Sequence, residues 1–262
     1  MSAIGALYSG NAQAVLERGV LATKSSNLIV VVSGFFEPIF YLLSLGLGLG
    51  ALVGTVHTSS GAEVPYAAFI APGLLAVSAM NGAVFDSTWN VFFKMQYSKI
   101  YVGMLTTTLG PLDVALGEIL LALARGGLYA GAFLIVMQVL GLNLSWTALL
   151  AIPAVLLVAF GFASVGMAIT SYLKTFQQMD WINFVLLPMF LFSATLYPLS
   201  VYPEPVQWLV EGMPLWHGVE LIRGLTTGVL SVGMLWHVLY YLVMIVLGLI
   251  LTTKRLRALF LD

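Results

Sequence analysis

The chain has 262 residues, 60% of them hydrophobic and only 8% charged, with a mean hydropathy of +1.01. Soluble domains carry about 25% charged residues, so 10 basic and 11 acidic side chains leave a polytopic membrane protein and exclude disorder, coiled coil and collagen. A net charge of -1 offers no basic field for nucleic acid, and the absence of Cys removes disulfides, thiolate metal ligands and cysteine nucleophiles.

The first 26 residues mix polar and apolar side chains, with Glu17 and Arg18 in the middle, and no cleavable signal is expected there. Within them Leu7, Ala14, Leu16, Val20 and Leu21 alternate with Asn11, Gln13, Glu17 and Arg18. That pattern predicts a helix over 6–24 lying on the inner membrane surface, with a frayed tail as the alternative. Apolar runs near the length of a membrane helix, about 20 residues, then recur six times: about 28–53, 66–93, 118–140, 148–172, 181–196 and 233–252. The runs are continuous rather than alternating, which excludes a β-barrel. The expected fold is all-α, with six transmembrane helices in one domain over 1–262.

An even number of spans puts both termini on one side. Arg18, Lys24, Lys94, Lys99, Lys174, Lys254, Arg255 and Arg257 fall on that side and only Arg223 on the other, with Arg125 inside span 3. The Lys/Arg bias makes the terminal side cytoplasmic. Small residues Gly46, Gly50 and Gly54 in span 1, and Gly127 and Gly131 in span 3, permit close helix approach, either within one subunit or between two.

Two connections are longer than turns require. In 94–117, Thr106, Thr107 and Thr108 precede Gly110, Pro111, Leu112 and Asp113, helix-start signals that predict a short cytoplasmic helix at an angle to the bundle. In 197–232, four prolines, Trp208 and Trp216 surround two apolar pieces too short to span, which predicts an external re-entrant hairpin.

Ionisable groups within spans are costly, so each carries either a pairing or a functional hypothesis. These are Glu37 before the kinking Pro38, Asp86 flanked by Asn81 and Asn90, and Arg125. Arg125 is expected to pair with Asp86 or Glu37, to contribute to substrate passage, or to snorkel to the interface. Glu220 and Arg223, three apart, can pair on one helix face, and their bland reading is solvated charge. His217 and Glu220 have metal-ligand spacing, but His57 and His237 lie in other segments, so no metal site is expected. No P-loop motif and no G-x-S-x-G occurs, so ATP-driven work must come from a partner.

Several segments together resemble the permease subunits of ABC-2 type exporters, most closely the branch of nodulation lipo-oligosaccharide exporters and related drug-export permeases. They are Phe36-Glu37-Pro38 running into Tyr41-Leu42-Leu43 and the Leu-Gly repeat of 45–50, then Phe69-Ile70-Ala71-Pro72-Gly73-Leu74. Gly110-Pro111-Leu112-Asp113, Gly117-Glu118-Ile119 and the run from Pro214-Leu215-Trp216-His217 to Glu220-Leu221-Ile222-Arg223-Gly224-Leu225 complete the set. The resemblance implies a dimer of permeases, each docked on a separate cytoplasmic ATPase chain that holds ATP and Mg, with no cofactor on this chain. It implies a main coupling helix over 107–115, carrying Thr107, Thr108, Pro111, Leu112 and Asp113, with Lys174 to Asp180 and the 6–24 helix as secondary contacts. The family often has Thr where Leu109-Gly110 precedes Pro111, so the glycine loosens this helix start. It further implies a non-catalytic subunit of the bacterial inner membrane that lets an amphipathic substrate out at the dimer interface, along spans 1, 2 and 5 with Phe184, Phe190, Phe192 and Tyr197. The rivals are an ion-coupled secondary transporter using Glu37, Asp86 and Arg125, and an intramembrane transferase using His217 and Glu220.

Overall fold

The computed structural model describes residues 8–24, 36, 39–58, 61 and 63–261. Glu37, Pro38 and the first part of span 1 lie outside the described residues.

After α1 (Ala12–Lys24) comes α2 (Ile39–Val53), π-wound over Leu42–Leu49. A two-stranded antiparallel hairpin follows, β1 (Thr55–His57) and β2 (Glu63–Pro65), with Val56 opposite Val64. It was missed in an all-α expectation because three-residue strands carry no readable alternation. The central element is α3 (Tyr66–Tyr97), with π-helical turns at Asp86–Asn90 and Phe93–Tyr97. Its first turns are apolar on every side, and Phe69, Ile70, Ala71, Leu74, Leu75 and Ala76 are all buried, as a helix surrounded by other helices must be. Packed around it are α5 (Pro111–Val139), α6 (Trp146–Thr170) and α9 (Pro214–Thr227). Between α3 and α5 lies α4 (Ile100–Leu105). The chain continues through α7 (Asp180–Phe192) and α8 (Glu204–Glu211), and ends in α10 (Gly233–Phe260).

The most extensive helix pair is α6 with α10. It depends on Gly248, where a Cβ would stand 2.6 Å from the Ser164 carbonyl carbon, so only glycine lets the backbones meet. Gly46 and Gly50 of the span 1 stripe face Ala67 and Tyr66 of α3, and Gly127 faces Leu156, while a Cβ at Gly131 would meet nothing within 4 Å.

Among the described residues four helices, α3, α5, α6 and α10, are long and apolar enough to cross a membrane. The other two expected spans are shorter among the described residues. α7 has 13 residues, or about 20 Å at 1.5 Å per residue, because Ser193 and the left-handed Ala194 (φ 52°) end the winding. α5 starts at Pro111 rather than 118, since the helix-start signal begins the span itself. The short helix beside it is therefore Ile100–Leu105, not 107–115; residues 106–108 form a turn. α10 runs on past 252 through Lys254, Arg255 and Arg257.

Antiparallel chain order gives the molecule two ends. The terminal end gathers α1, α4, Ser171 to Met179 and the close of α10; there Arg255 Nε donates to the Ser171 carbonyl at 3.3 Å and Gln96 Nε2 to that of Leu173 at 3.2 Å. The hairpin end gathers β1, β2, α8 and α9, tied to the start of α6 by Leu144 N–H to Thr226 O at 3.0 Å and Thr147 Oγ1 to Leu225 O at 2.6 Å.

Candidate functional site

A cleft of about 780 Å³ opens among α2, α3, α5 and α7. Its hairpin-side walls are apolar: Tyr41, Leu74, Val77, Leu186 and Phe190, with the Tyr41 and Phe190 rings 6.1 Å apart. Toward the terminal end it becomes polar, with Asn81, Asp86, Trp89, Arg125 and Asn183 in the lining. The wide turn at Asp86–Asn90 lies at this polar stretch. Arg125 Nη1 donates to Asp86 Oδ1 at 2.7 Å, and Asn90 Nδ2 donates to the same oxygen at 2.6 Å. Arg125 is thus placed against Asp86, and the Glu37 alternative falls outside the described residues. Of the aromatic residues expected along a substrate route, only Phe190 lines this cleft. Phe184 is 71% exposed on the outward face of α7 beside Trp181, and Phe192 is exposed as well. Tyr197 packs on Tyr202 near the hairpin end, at 5.2 Å.

At the terminal end, the coupling candidates separate by exposure. Thr107, Thr108 and Lys174 are exposed, Leu112 is half-buried, and Pro111 and Asp113 are buried. Asp113 faces inward, its carboxylate engaged by donors of the same chain. Oδ2 accepts from Ser9 N–H at 2.8 Å, Ser9 Oγ at 3.0 Å and Gly110 N–H at 2.9 Å, and Oδ1 accepts from Asn11 N–H at 2.8 Å. One side chain therefore caps α5 and fastens the segment before α1 to it. The contact continues at Gly117, where a Cβ would stand 2.4 Å from Val15 Cβ. Beside this clasp Lys94 Nζ pairs with Glu118 Oε2 at 2.5 Å.

At the hairpin end Arg223 is not a solvated charge but 4% exposed. Its guanidinium reaches three elements: Nη1 to Glu220 Oε1 at 2.5 Å, Nη2 to the Ala194 carbonyl at 2.8 Å and Nε to the Phe69 carbonyl at 3.3 Å. The carbon of the guanidinium also lies 3.9 Å from the centre of the Phe69 ring. The turn after α7 is thereby held against α3, where a Cβ on Gly73 would sit 2.9 Å from the Thr195 carbonyl. Trp208 is 80% exposed, whereas Trp216 packs edge-on to His217. His237, assigned by sequence to a separate segment, meets His217 with the two Nδ1 atoms 2.7 Å apart. Twenty residues separate them and they lie on two different helices, so spacing carried no signal of it. Among the described residues no group of three or more His, Asp or Glu side chains is placed to hold a metal.

Four apolar membrane-length helices among the described residues, a cleft that grades from apolar to polar, and a short helix fastened to one end make this an all-α membrane domain. The sequence pattern of the ABC-2 type transporter family matches residues 11–227, so the chain belongs to that family and is a membrane subunit whose class works with an ATPase. Among its relatives, nodulation protein J of Rhizobium leguminosarum bv. viciae is 32% identical over 246 residues, covering 93% of each chain. Nodulation protein J of Bradyrhizobium diazoefficiens is 35% identical over 215 residues, 81% of this chain and 80% of the relative. That of Sinorhizobium fredii is 34% identical over 212 residues, 80% and 79%.

Proposed function

We propose that this chain is the permease subunit of an ATP-driven exporter that moves an amphipathic substrate of the lipo-oligosaccharide class outward across the bacterial inner membrane. The observation that carries the reading is the likeness to nodulation protein J over 93% of both chains, joined to an amphipathic cleft that suits such a molecule. In this reading the working unit is a pair of permeases with two cytoplasmic ATPase chains, which supply the bound ATP and Mg. α2 and α7 belong to the two further spans that bring the number to six. α8 and α9 form the re-entrant hairpin. Eight of ten Lys and Arg at the terminal end put both termini in the cytoplasm.

Thr107, Thr108 and Lys174 are the exposed candidates for the ATPase-facing surface, while Pro111, Leu112 and Asp113 position it. ATP-driven closure of the ATPase pair then moves α1, α4 and α5 as one body, since the Asp113 clasp joins the first to the last. The ion-coupled alternative must use an Asp86 already engaged by Arg125 and Asn90. The transferase alternative must use a His217 that is 4% exposed and faces His237.

The test is purification of the chain from its native membrane in mild detergent. A stoichiometric P-loop chain with ATPase activity, reduced in yield by Thr107→Glu with Thr108→Glu, supports the proposal. A lone chain, together with transport that stops when the proton gradient of ATP-replete vesicles is collapsed, overturns it in favour of ion coupling. His217→Ala is expected to leave transport near wild type, and its abolition by that change would favour the transferase.

A further inference from the structure

The polar stretch of the cleft holds more hydrogen-bonding capacity than the protein uses. Asn81 and Asn183 are both exposed into the cleft, and among the described residues neither amide has a hydrogen-bond partner. Both hydrogen bonds that reach Asp86 end on Oδ1, so among the described residues its Oδ2 accepts none. Polar groups left unsatisfied at membrane depth are expensive, and the cost falls when a ligand satisfies them. Two amides, one carboxylate oxygen and a guanidinium within one cavity are therefore a set of donors and acceptors awaiting a partner that both donates and accepts. Trp89 adds apolar indole surface at the same level, its ring held 6.4 Å from that of Phe85 and 5.2 Å from that of Phe176.

The charge balance narrows the chemistry. Asp86 and Arg125 are the two charged residues among the described lining, and they neutralise one another. A phosphate or carboxylate head would have to take Arg125 from Asp86 and strand a carboxylate whose side chain is 10% exposed, an expensive exchange. A sugar hydroxyl accepts from Arg125 or an asparagine amide and donates to Asp86 Oδ2 without breaking the pair. A pyranose also presents a C–H face that stacks on indole. The volume, about 780 Å³, lies in the range of ligand pockets, roughly 300–1,000 Å³.

Depth fixes the orientation. Along α3, Leu74 and Asp86 are 12 residues apart, about 18 Å at 1.5 Å per residue, with the apolar side chain toward the hairpin end. We infer that the cleft is a binding site for one amphiphile of the leaflet beside the chain termini, its uncharged hydroxyl-rich head on Asn81, Asn183, Trp89 and the Asp86–Arg125 pair and its chain along Leu74, Leu186 and Phe190. This rests on the exporter reading above and gives it a head-group chemistry: glycans without phosphate at the held sugar.

The test places the full-length chain in phosphatidylcholine nanodiscs with an alkyl β-glucoside carrying a photoreactive diazirine in its chain, followed by peptide mapping. Saturable labelling concentrated in residues 74–90 and 182–190 is expected, displaced by unlabelled alkyl maltoside and not by the alkyl phosphate of the same length. Asn81→Ala with Asn183→Ala is expected to raise half-saturation about tenfold, the size of one or two net hydrogen bonds. Those side chains bond nothing among the described residues, so the variant leaves the fold intact. Labelling spread evenly over the outward face of α10, equal displacement by the alkyl phosphate, or wild-type half-saturation in the double variant would each overturn the site. No ATP or ATPase enters this measurement, so its failure leaves the exporter reading standing, and a missing ATPase partner leaves the site standing.

Discussion

Replacing Asp113 with Ala isolates the contact that fastens the N-terminal segment to α5. Three of its four hydrogen bonds run to Ser9 and Asn11. Bonds to a charged acceptor contribute about 1.5–3 kcal/mol each but share one carboxylate with exposed donors, so docking loses about 3 kcal/mol in total, not their sum. That is roughly a hundredfold in the opening equilibrium. Val15 against Gly117 and Gly19 against Leu121 remain, so α1 opens more often without leaving α5. Hydrogen exchange of the purified protein in detergent reads this directly. Amides of residues 12–20 are expected to exchange about a hundredfold faster, with α6 and α10 unchanged. Wild-type exchange over 12–20 in a folded Asp113→Ala protein would refute the argument and assign docking to the apolar contacts.

Arg125→Ala strands an Asp86 whose side chain is 10% exposed and is expected to cost about 2–3 kcal/mol, less than a fully buried pair because the arginine retains some exposure. Arg125→Leu combined with Asp86→Leu should recover most of the loss in thermal midpoint, and no recovery would show that the pair is not the cause. Gly248→Val drives two methyls into the Ser164 backbone, so a loss of folded yield or a fall in midpoint worth about 1–3 kcal/mol is expected; a wild-type melt would mean that α10 shifts freely. Arg223→Lys keeps the charge but not the planar fork that serves Glu220, Ala194 and Phe69 at once. Its midpoint should drop by several degrees, and an unchanged midpoint would reduce Arg223 to a point charge.

The parts legible in the sequence are those set by long apolar runs. α3, α6 and α10 begin at or within two residues of where the hydropathy places them, because a membrane span needs no long-range partner to declare itself. The start of α5 was signalled by Pro111 and Asp113, yet the same signals were read as a separate helix, since a start signal says nothing of where the helix stops. What stayed hidden depends on contacts between distant residues. Ser9 lies 104 positions from Asp113, and the Phe69 carbonyl lies 154 from Arg223, so a buried hub looked like a solvated pair. His217 meeting His237 is invisible for the same reason. α7 looked longer than it is because the apolar run continues past the backbone turn at Ala194.

Each π-helical turn in α3 accommodates one residue more than α-winding would, and it does so between Asp86 and Tyr97, where the helix also carries Lys94 toward Glu118. One residue of α-helix corresponds to about 100° of rotation. Removing a single residue there would let a wide turn relax to ordinary winding and swing everything beyond it by that angle, carrying Lys94 off Glu118 and Gln96 off Leu173 while the hairpin half of the helix stayed in place. The two halves of α3 are in this sense separately indexed. The half nearer the hairpin end is keyed to α6 and α9, the stretch beyond Asn90 to Glu118 and the Leu173 carbonyl, and the residue count between them sets how the terminal end is clocked against the cleft.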